Sequence, residues 1–249
     1  MNHALSALRN FLDQSHSVYH AQQAIVKELE EAGFCRLEES RTWSVQPGGS
    51  YYVIRGGSAV VAFRIPEQVP AGFVMSAGHS DRPCFKLKEN FELDGAYLRL
   101  AVERYGGMLL STWMDRPLSI AGRVVVETET GVQTRLVDID RDLLLMPNVA
   151  IHMNRQVNDG YKWNPAVDTI PLAGGKQGAG KLRQILRAGR GPDSGPRSVS
   201  VHPAEVQRLG TGRGVPLQCR TGRSGVRMGL HPRLPAGSAQ RLDSGAVHL

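Results

Sequence analysis

All fifteen aromatic side chains of this 249-residue chain lie before Leu186. The 63 residues that follow contain no Phe, Tyr, Trp, Ile, Asn or Lys, but 11 Gly and 6 Pro. Such a stretch buries little apolar surface against the entropy of ordering it, and no helical or strand period survives in it beyond a few residues. A packed core has to come from residues 1–186, and residues 187–249 are expected to form a disordered tail.

The charge divides at the same place. The tail holds ten Arg, two Asp and one Glu, a net +7 that equals the net charge of the whole chain, so residues 1–186 balance. A basic balance suggests phosphate-bearing partners. This tail has no aromatic side chain for stacking on bases and no helix to enter a groove, which argues against nucleic acid. Cys35, Cys84 and Cys219 are too few, and odd in number, for a disulfide framework. Residues 1–30 mix acids and histidines into the apolar positions, unlike a secretory leader, and no apolar run is long enough to span a bilayer.

Within residues 1–186 the pattern is α/β. Leu5, Leu8, Phe11 and Leu12, then Ala21, Ala24, Ile25 and Leu29, have helical spacing, so Ala4–Ala32 reads as two helices stopped at Gly33. Trp43–Val45 and Tyr51–Arg55 read as strands around a turn at Pro47–Gly49. Ser58–Arg64 and Phe73–Ala77 follow as apolar strands, and the continuous run Ala59–Phe63 suits burial on both faces. From about Phe91 the texture becomes β-rich, with strands expected over Tyr97–Val102, Leu118–Thr128 and Val132–Asp138. Asn148–Asn154 is expected to begin a helix and Lys176–Leu186 to end in one.

His79 follows directly on the expected strand Phe73–Ala77, with Asp81 two residues on. Strand ends are where α/β folds collect reactive groups. Neutral imidazole binds zinc, and a nearby carboxylate can orient it. The pattern alone also describes many packed histidines that bind nothing.

The surroundings are more specific. Ser76-Ala77-Gly78-His79-Ser80-Asp81-Arg82-Pro83 resembles the Gly-Ala-His-Thr-Asp-Ser-Pro motif of the aspartyl aminopeptidases, zinc aminopeptidases of the M18 family. Tyr105-Gly106-Gly107-Met108 and Trp113-Met114-Asp115-Arg116-Pro117-Leu118 resemble the Tyr-Gly-Gly…Trp-Phe-Asp-Arg-Pro-Leu block of that family. Pro147-Asn148-Val149-Ala150-Ile151-His152 is similar to its Pro-Asn-Leu-Ala-Ile-His block. The blocks occur in order over residues 1–186. The resemblance implies an α/β zinc-peptidase domain, present here only in part over residues 1–90, then a β-rich dimerisation insertion over 91–186 and the tail over 187–249. It implies peptide substrates, often with N-terminal Asp or Glu, cytoplasmic location and homo-oligomers that are typically dodecamers. It also implies roles: His79 as a metal ligand of one of two zinc ions, Asp81 as the carboxylate orienting it, and His152 as a histidine lent to a neighbouring subunit's site. Arg82 stands where the family has Ser, beside the metal ligand, where it bears on substrate access.

The other family ligands, which follow the insertion, are absent from residues 187–249, and His202, His231 and His248 lie in no motif. Dropping one base from the back-translated tail changes this. Beneath Asp193–Val201 the shifted frame can read Ile-Leu-Gly-His-Asp-Leu-Phe-Leu-Tyr. Beneath Gly214–Ser224 it can read Glu-Phe-Leu-Ser-Ser-Ala-x-Leu-Asp-Asp-Leu, which restores the family's bridging Asp under Gly222. The expectation is a reading frame that slipped near Ile185–Arg187, leaving a chain without its later strands and without aminopeptidase activity. The alternative is a non-catalytic nucleic-acid-binding or oligomerisation protein that uses the basic tail.

Overall fold

The computed structural model describes residues 3–128, 131–175, 182, 184, 199–203, 207–209 and 215–217. Two helices open it, α1 (His3–Gln14) and α2 (Val18–Glu31). Phe11 of α1 and Ala21 and Ala24 of α2 are buried, as their spacing requires. Ser17 caps α2 by accepting the His20 amide at 3.4 Å. At the other end Gly33 takes φ +80°, and the Gly33 and Phe34 amides return to Glu30 and Leu29 at 3.0 and 2.9 Å. Only a residue free of a Cβ adopts that left-handed turn cheaply. Ser17→Ala is expected to cost about 1 kcal/mol, read as a lower urea midpoint with an unchanged m-value.

The helices accompany a three-stranded sheet in the order β1 (Cys35–Arg36), β2 (Ser50–Arg55), β3 (Ala59–Arg64). The Tyr52 hydroxyl reaches from β2 to donate to Glu30 Oε1 of α2 at 2.5 Å. Burial and that bond push the phenol up to about 12. Three sequence expectations need correcting here. Trp43–Val45 forms no strand: the Trp43 indole donates to Glu38 O at 2.8 Å and its ring stacks on Phe63. Ala59–Phe63 is a strand but is not buried on both faces, with Val61 56% exposed. Phe73–Ala77 forms no strand and is exposed. The last two share a cause. An apolar run encodes burial against neighbouring elements, and among the described strands Ala59–Phe63 pairs only with β2 and Phe73–Ala77 pairs with none.

The rest is a β-barrel. Its strands are β4 (Cys84–Leu93), β5 (Tyr97–Tyr105), β6 (Pro117–Thr128), β7 (Gly131–Asp138), β8 (Leu144–Leu145), β9 (Leu172–Gly175) and β10 (Val199–Pro203). The pairings run β4–β5–β9–β8–β6–β10 and back to β4, all antiparallel, so the ring closes, while β7 pairs with β6 as a hairpin. Phe85, Leu100, Leu118, Ile120 and Met146 fill the interior, each 1% exposed or less. The β-rich part starts at Cys84, ahead of the Phe91 at which alternation becomes visible. The helix expected over Asn148–Asn154 is a single 3₁₀ turn, Ile151–Met153. Of Lys176–Leu186, the described Leu182 and Gln184 are helical, and Leu182 is buried in the barrel core.

The expected tail without regular structure needs one amendment within its described residues. Val199–Pro203 sits between β4 and β6, and Gln207–Leu209 pairs with Val215–Leu217. A slot with unpaired amides and carbonyls on both sides is filled through main-chain bonds, which ask little of the sequence. The remainder of 187–249 lies outside the described residues.

Candidate active site

His79 lies between the exposed segment Phe73–Ala77 and β4. Its Nδ1 stands 2.7 Å from Asp81 Oδ1. The Tyr105 hydroxyl donates to the other oxygen, Oδ2, also at 2.7 Å. The bond from Tyr105 holds the Asp81 carboxyl below its ordinary value, helped by the bond and charge of His79 and opposed by burial. The same bond, with burial, pushes the Tyr105 phenol up to about 12. An ionised carboxylate can only accept, so the proton of the pair sits on His79 Nδ1. That leaves Nε2 free to act, on a side chain that is 75% exposed.

Three motif blocks build this arrangement. Register places Tyr105 of β5 opposite Cys84 of β4, three residues beyond Asp81. Gly106 takes φ +79°, and a Cβ there would lie 3.4 Å from Pro83, so the Tyr-Gly-Gly block packs on the His-x-Asp block. Lys86 Nζ lies 3.7 Å from the centre of the Tyr105 ring, a cation–π contact on the face of the phenol. Arg82 donates through Nη2 to the Ser15 carbonyl and so ties the segment to the α1–α2 connection. Ser80 reaches the Ser58 carbonyl at 3.5 Å. A cavity of about 310 Å³ opens beside the pair, lined by Tyr19, Asp81, Arg82, Cys84, Lys86 and Tyr105 among others.

His79 and Asp81, the ligand and carboxylate expected from the motif, come together in the structure. The part of Tyr105 is not visible in its motif, because its contact with Asp81 spans 24 positions and a strand register sets it. His152 is elsewhere, exposed on the turn Ile151–Met153 and outside that cavity. Asp115 holds the chain leading to that turn. It takes φ 55°, its amide donates to Met146 O at 2.9 Å, and its Oδ1 accepts the Asn148 amide at 2.8 Å. The Asp-Arg-Pro and Pro-Asn blocks are thus two halves of one loop lock.

Tyr105→Phe tests the pair. Asp81 has its folded pKa lowered, so its contribution is present above the ordinary value of 3.8 and lost as pH falls through the depressed one. Tyr105 has its folded pKa raised, so its contribution is lost as pH rises toward about 12. The variant is expected to be less stable by about 0.5–1 kcal/mol near neutrality. The gap should close in strong acid, which urea titrations at several pH values would read.

An imidazole with a carboxylate on Nδ1 and a free Nε2 has the form of one metal ligand. A zinc site takes three or four protein ligands, and no group of three or more His, Cys, Asp or Glu able to hold a metal exists among the described residues. These residues therefore do not make a zinc site by themselves.

Comparison with known proteins supplies the context. The model of the aminopeptidase I zinc metalloprotease (M18) family matches residues 11–188. The probable M18 family aminopeptidase 2 of Clostridium acetobutylicum is 44% identical over 173 residues, 67% of this chain and 40% of that protein. The Ape4 and Nbr1 complex, solved by cryo-EM, contains a chain that superposes with a TM-score of 0.74 at 30% identity, over 83% of this chain and 45% of that one. The S. cerevisiae mApe1 dodecamer shares the fold, with a TM-score of 0.65 at 21% identity, over 84% of this chain and 50% of that one. This chain spans less than half the length of the Clostridium relative. The match over residues 11–188 decides the assignment: the chain belongs to the aminopeptidase I zinc metalloprotease (M18) family.

Proposed function

We propose that this chain is the amino-terminal part of a zinc-dependent aminopeptidase that removes an N-terminal residue, often Asp or Glu, from peptides in the cytoplasm. The observation that carries the reading is the His79 Nδ1–Asp81 contact at 2.7 Å, which presents Nε2 as a single oriented ligand. In the complete enzyme zinc would supply a Lewis acid and an acidified water. Asp81 fixes the tautomer of His79, and Tyr105 fixes Asp81. His152, on a turn held out by the Asp115–Asn148 contact, fits a residue lent to a neighbouring copy. Homo-oligomerisation through the barrel, assigned to residues 91–186, belongs to the same proposal; the related yeast mApe1 is a dodecamer. None of the described helices is long and apolar enough to cross a membrane.

The tail is part of the proposal as an out-of-frame reading. The family match ends at residue 188, beside the composition break. The barrel strand Val199–Pro203 overlaps the stretch where the shifted frame resembles a segment of the family. Sequencing the codons around Leu186 tests this, and a restored frame that fails to give a continuous M18 sequence would sink it. The frame-restored enzyme should hydrolyse Asp- and Glu-peptides in preference to Leu-peptides, and faster turnover of the Leu-peptide would remove the acidic preference.

A further inference from the structure

We infer that the α1–α2 connection is an acid-released latch between the helical layer and the barrel, opened by a proton on His20. The latch stands apart from the catalytic reading above.

Three contacts hold the connection and the start of α2 in place. His16 Nδ1 meets Asp138 Oδ2, at the end of β7, at 2.6 Å. Arg82, just ahead of β4, donates through Nη2 to the Ser15 carbonyl. The Arg123 guanidinium, from β6, lies 4.3 Å from the centre of the Tyr19 ring, a cation–π contact. Through His16 and Ser17 the connection also lines the cavity that Asp81 and Tyr105 share.

His20 sits in the first turn of α2, partly buried. The Ser17 oxygen accepts the His20 amide at 3.4 Å and lies 2.8 Å from His20 Nδ1. One hydroxyl satisfies both contacts by accepting from the amide and donating to a bare Nδ1, so the cap suits a neutral ring. A proton on the ring makes Nδ1 a donor and takes that acceptor away. The new charge also faces the positive end of α2, whose first turn holds no acidic residue. His16 and Arg82 repel it. Asp138 attracts it, but the Asp138 Oδ2 is already engaged by His16.

The sign follows from these surroundings. Burial holds the His20 imidazole below its ordinary value of 6.5, with His16 and Arg82 acting the same way against Asp138. Above 6.5 the ring is neutral whether the connection is closed or open, and the latch is at full strength. As pH falls below that value, the proton favours the open connection, in which His20 regains its ordinary affinity.

The test is amide exchange on the full 249-residue chain at about pH 7.5 and about pH 5.5, expressed as protection factors. The reporters for the latch are Ser15 and Ala21, whose amides donate to Leu12 O and Ser17 O at 3.1 and 2.9 Å. Those for the barrel are Leu100 and Leu143, whose amides donate to Pro171 O and Leu118 O at 2.9 and 3.0 Å. In acid, protection at Ser15 and Ala21 is expected to fall by about three- to tenfold while Leu100 and Leu143 stay level. His20→Gln cannot take the proton and should abolish the fall. His3→Gln, at the exposed start of α1, should keep it. Asp138→Asn weakens the His16 contact and should lower protection at Ser15 and Ala21 at both pH values. A fall that survives in His20→Gln, one of equal size in the barrel, no fall at all, or unchanged protection in Asp138→Asn would overturn the proposal. If His20→Gln loses the circular dichroism of the parent, the ring titration of His20 in the parent chain, followed by NMR, decides instead. A midpoint below 6.5 supports the latch, and one at or above it overturns the latch.

Discussion

The purified 249-residue chain is expected to release no N-terminal aspartate from an Asp-peptide above the uncatalysed background, with or without added zinc. The frame-restored enzyme should exceed that background by about a million-fold or more, the lower range of enzymatic rate enhancements. The difference is this large because the chemistry is collective. A hydroxide competent to attack a peptide carbonyl needs a metal bound firmly enough to acidify water, and one imidazole does not hold zinc against the solvent. His79 and Tyr105 meet the two carboxylate oxygens of Asp81 at 2.7 Å, but among the described residues no group of three or more His, Cys, Asp or Glu able to hold a metal exists. A chelator should likewise leave the thermal midpoint of the chain unchanged, since metal binding stabilises only a fold that contains the site. Zinc-dependent turnover by the chain as it stands would overturn the proposal of inactivity.

Trp113→Ala is expected to give the largest loss of stability, about 3–5 kcal/mol, the range for truncating a buried large aromatic. Trp113 is 2% exposed and meets Phe85 edge to face, with centroids 5.0 Å apart at 88°. It also immediately precedes Met114, whose bridge to Met146 adjoins the Asp115 lock. Removing the indole therefore opens a cavity in the barrel and loosens the base of the turn that carries His152. Urea unfolding followed by circular dichroism reads the first effect. Faster amide exchange at Asn148 reads the second, because that amide is held by Asp115 Oδ1. A loss below about 1 kcal/mol would show that the barrel repacks around the gap.

The sequence was most informative where contacts are local. α1 and α2 follow from apolar spacing and the Gly33 stop, because a helix closes its bonds within four residues. The β6–β7 hairpin follows from two β-rich runs separated by a short turn, and its pairing extends from Thr128↔Gly131 back to Ala121↔Asp138. His79 and Asp81 were legible because two positions of spacing suffice to bring their side chains together. Tyr105 was not, since its hydroxyl reaches Asp81 only once β4 and β5 are in register. Asp115 was not, since its lock on Asn148 joins residues 33 apart.

The chain's own letters thus settled the two helices, the β-rich half and the His-x-Asp pair, all of which depend on composition or on neighbours a few residues away. Only the tertiary structure decided that the barrel closes through Val199–Pro203, that Tyr105 completes the His79–Asp81 support, and that Phe73–Met75 stands in water. An apolar strand states its need for burial in its sequence but cannot state which partner meets it. That partner is a matter of long-range pairing, and for residues 73–77 no described strand provides it.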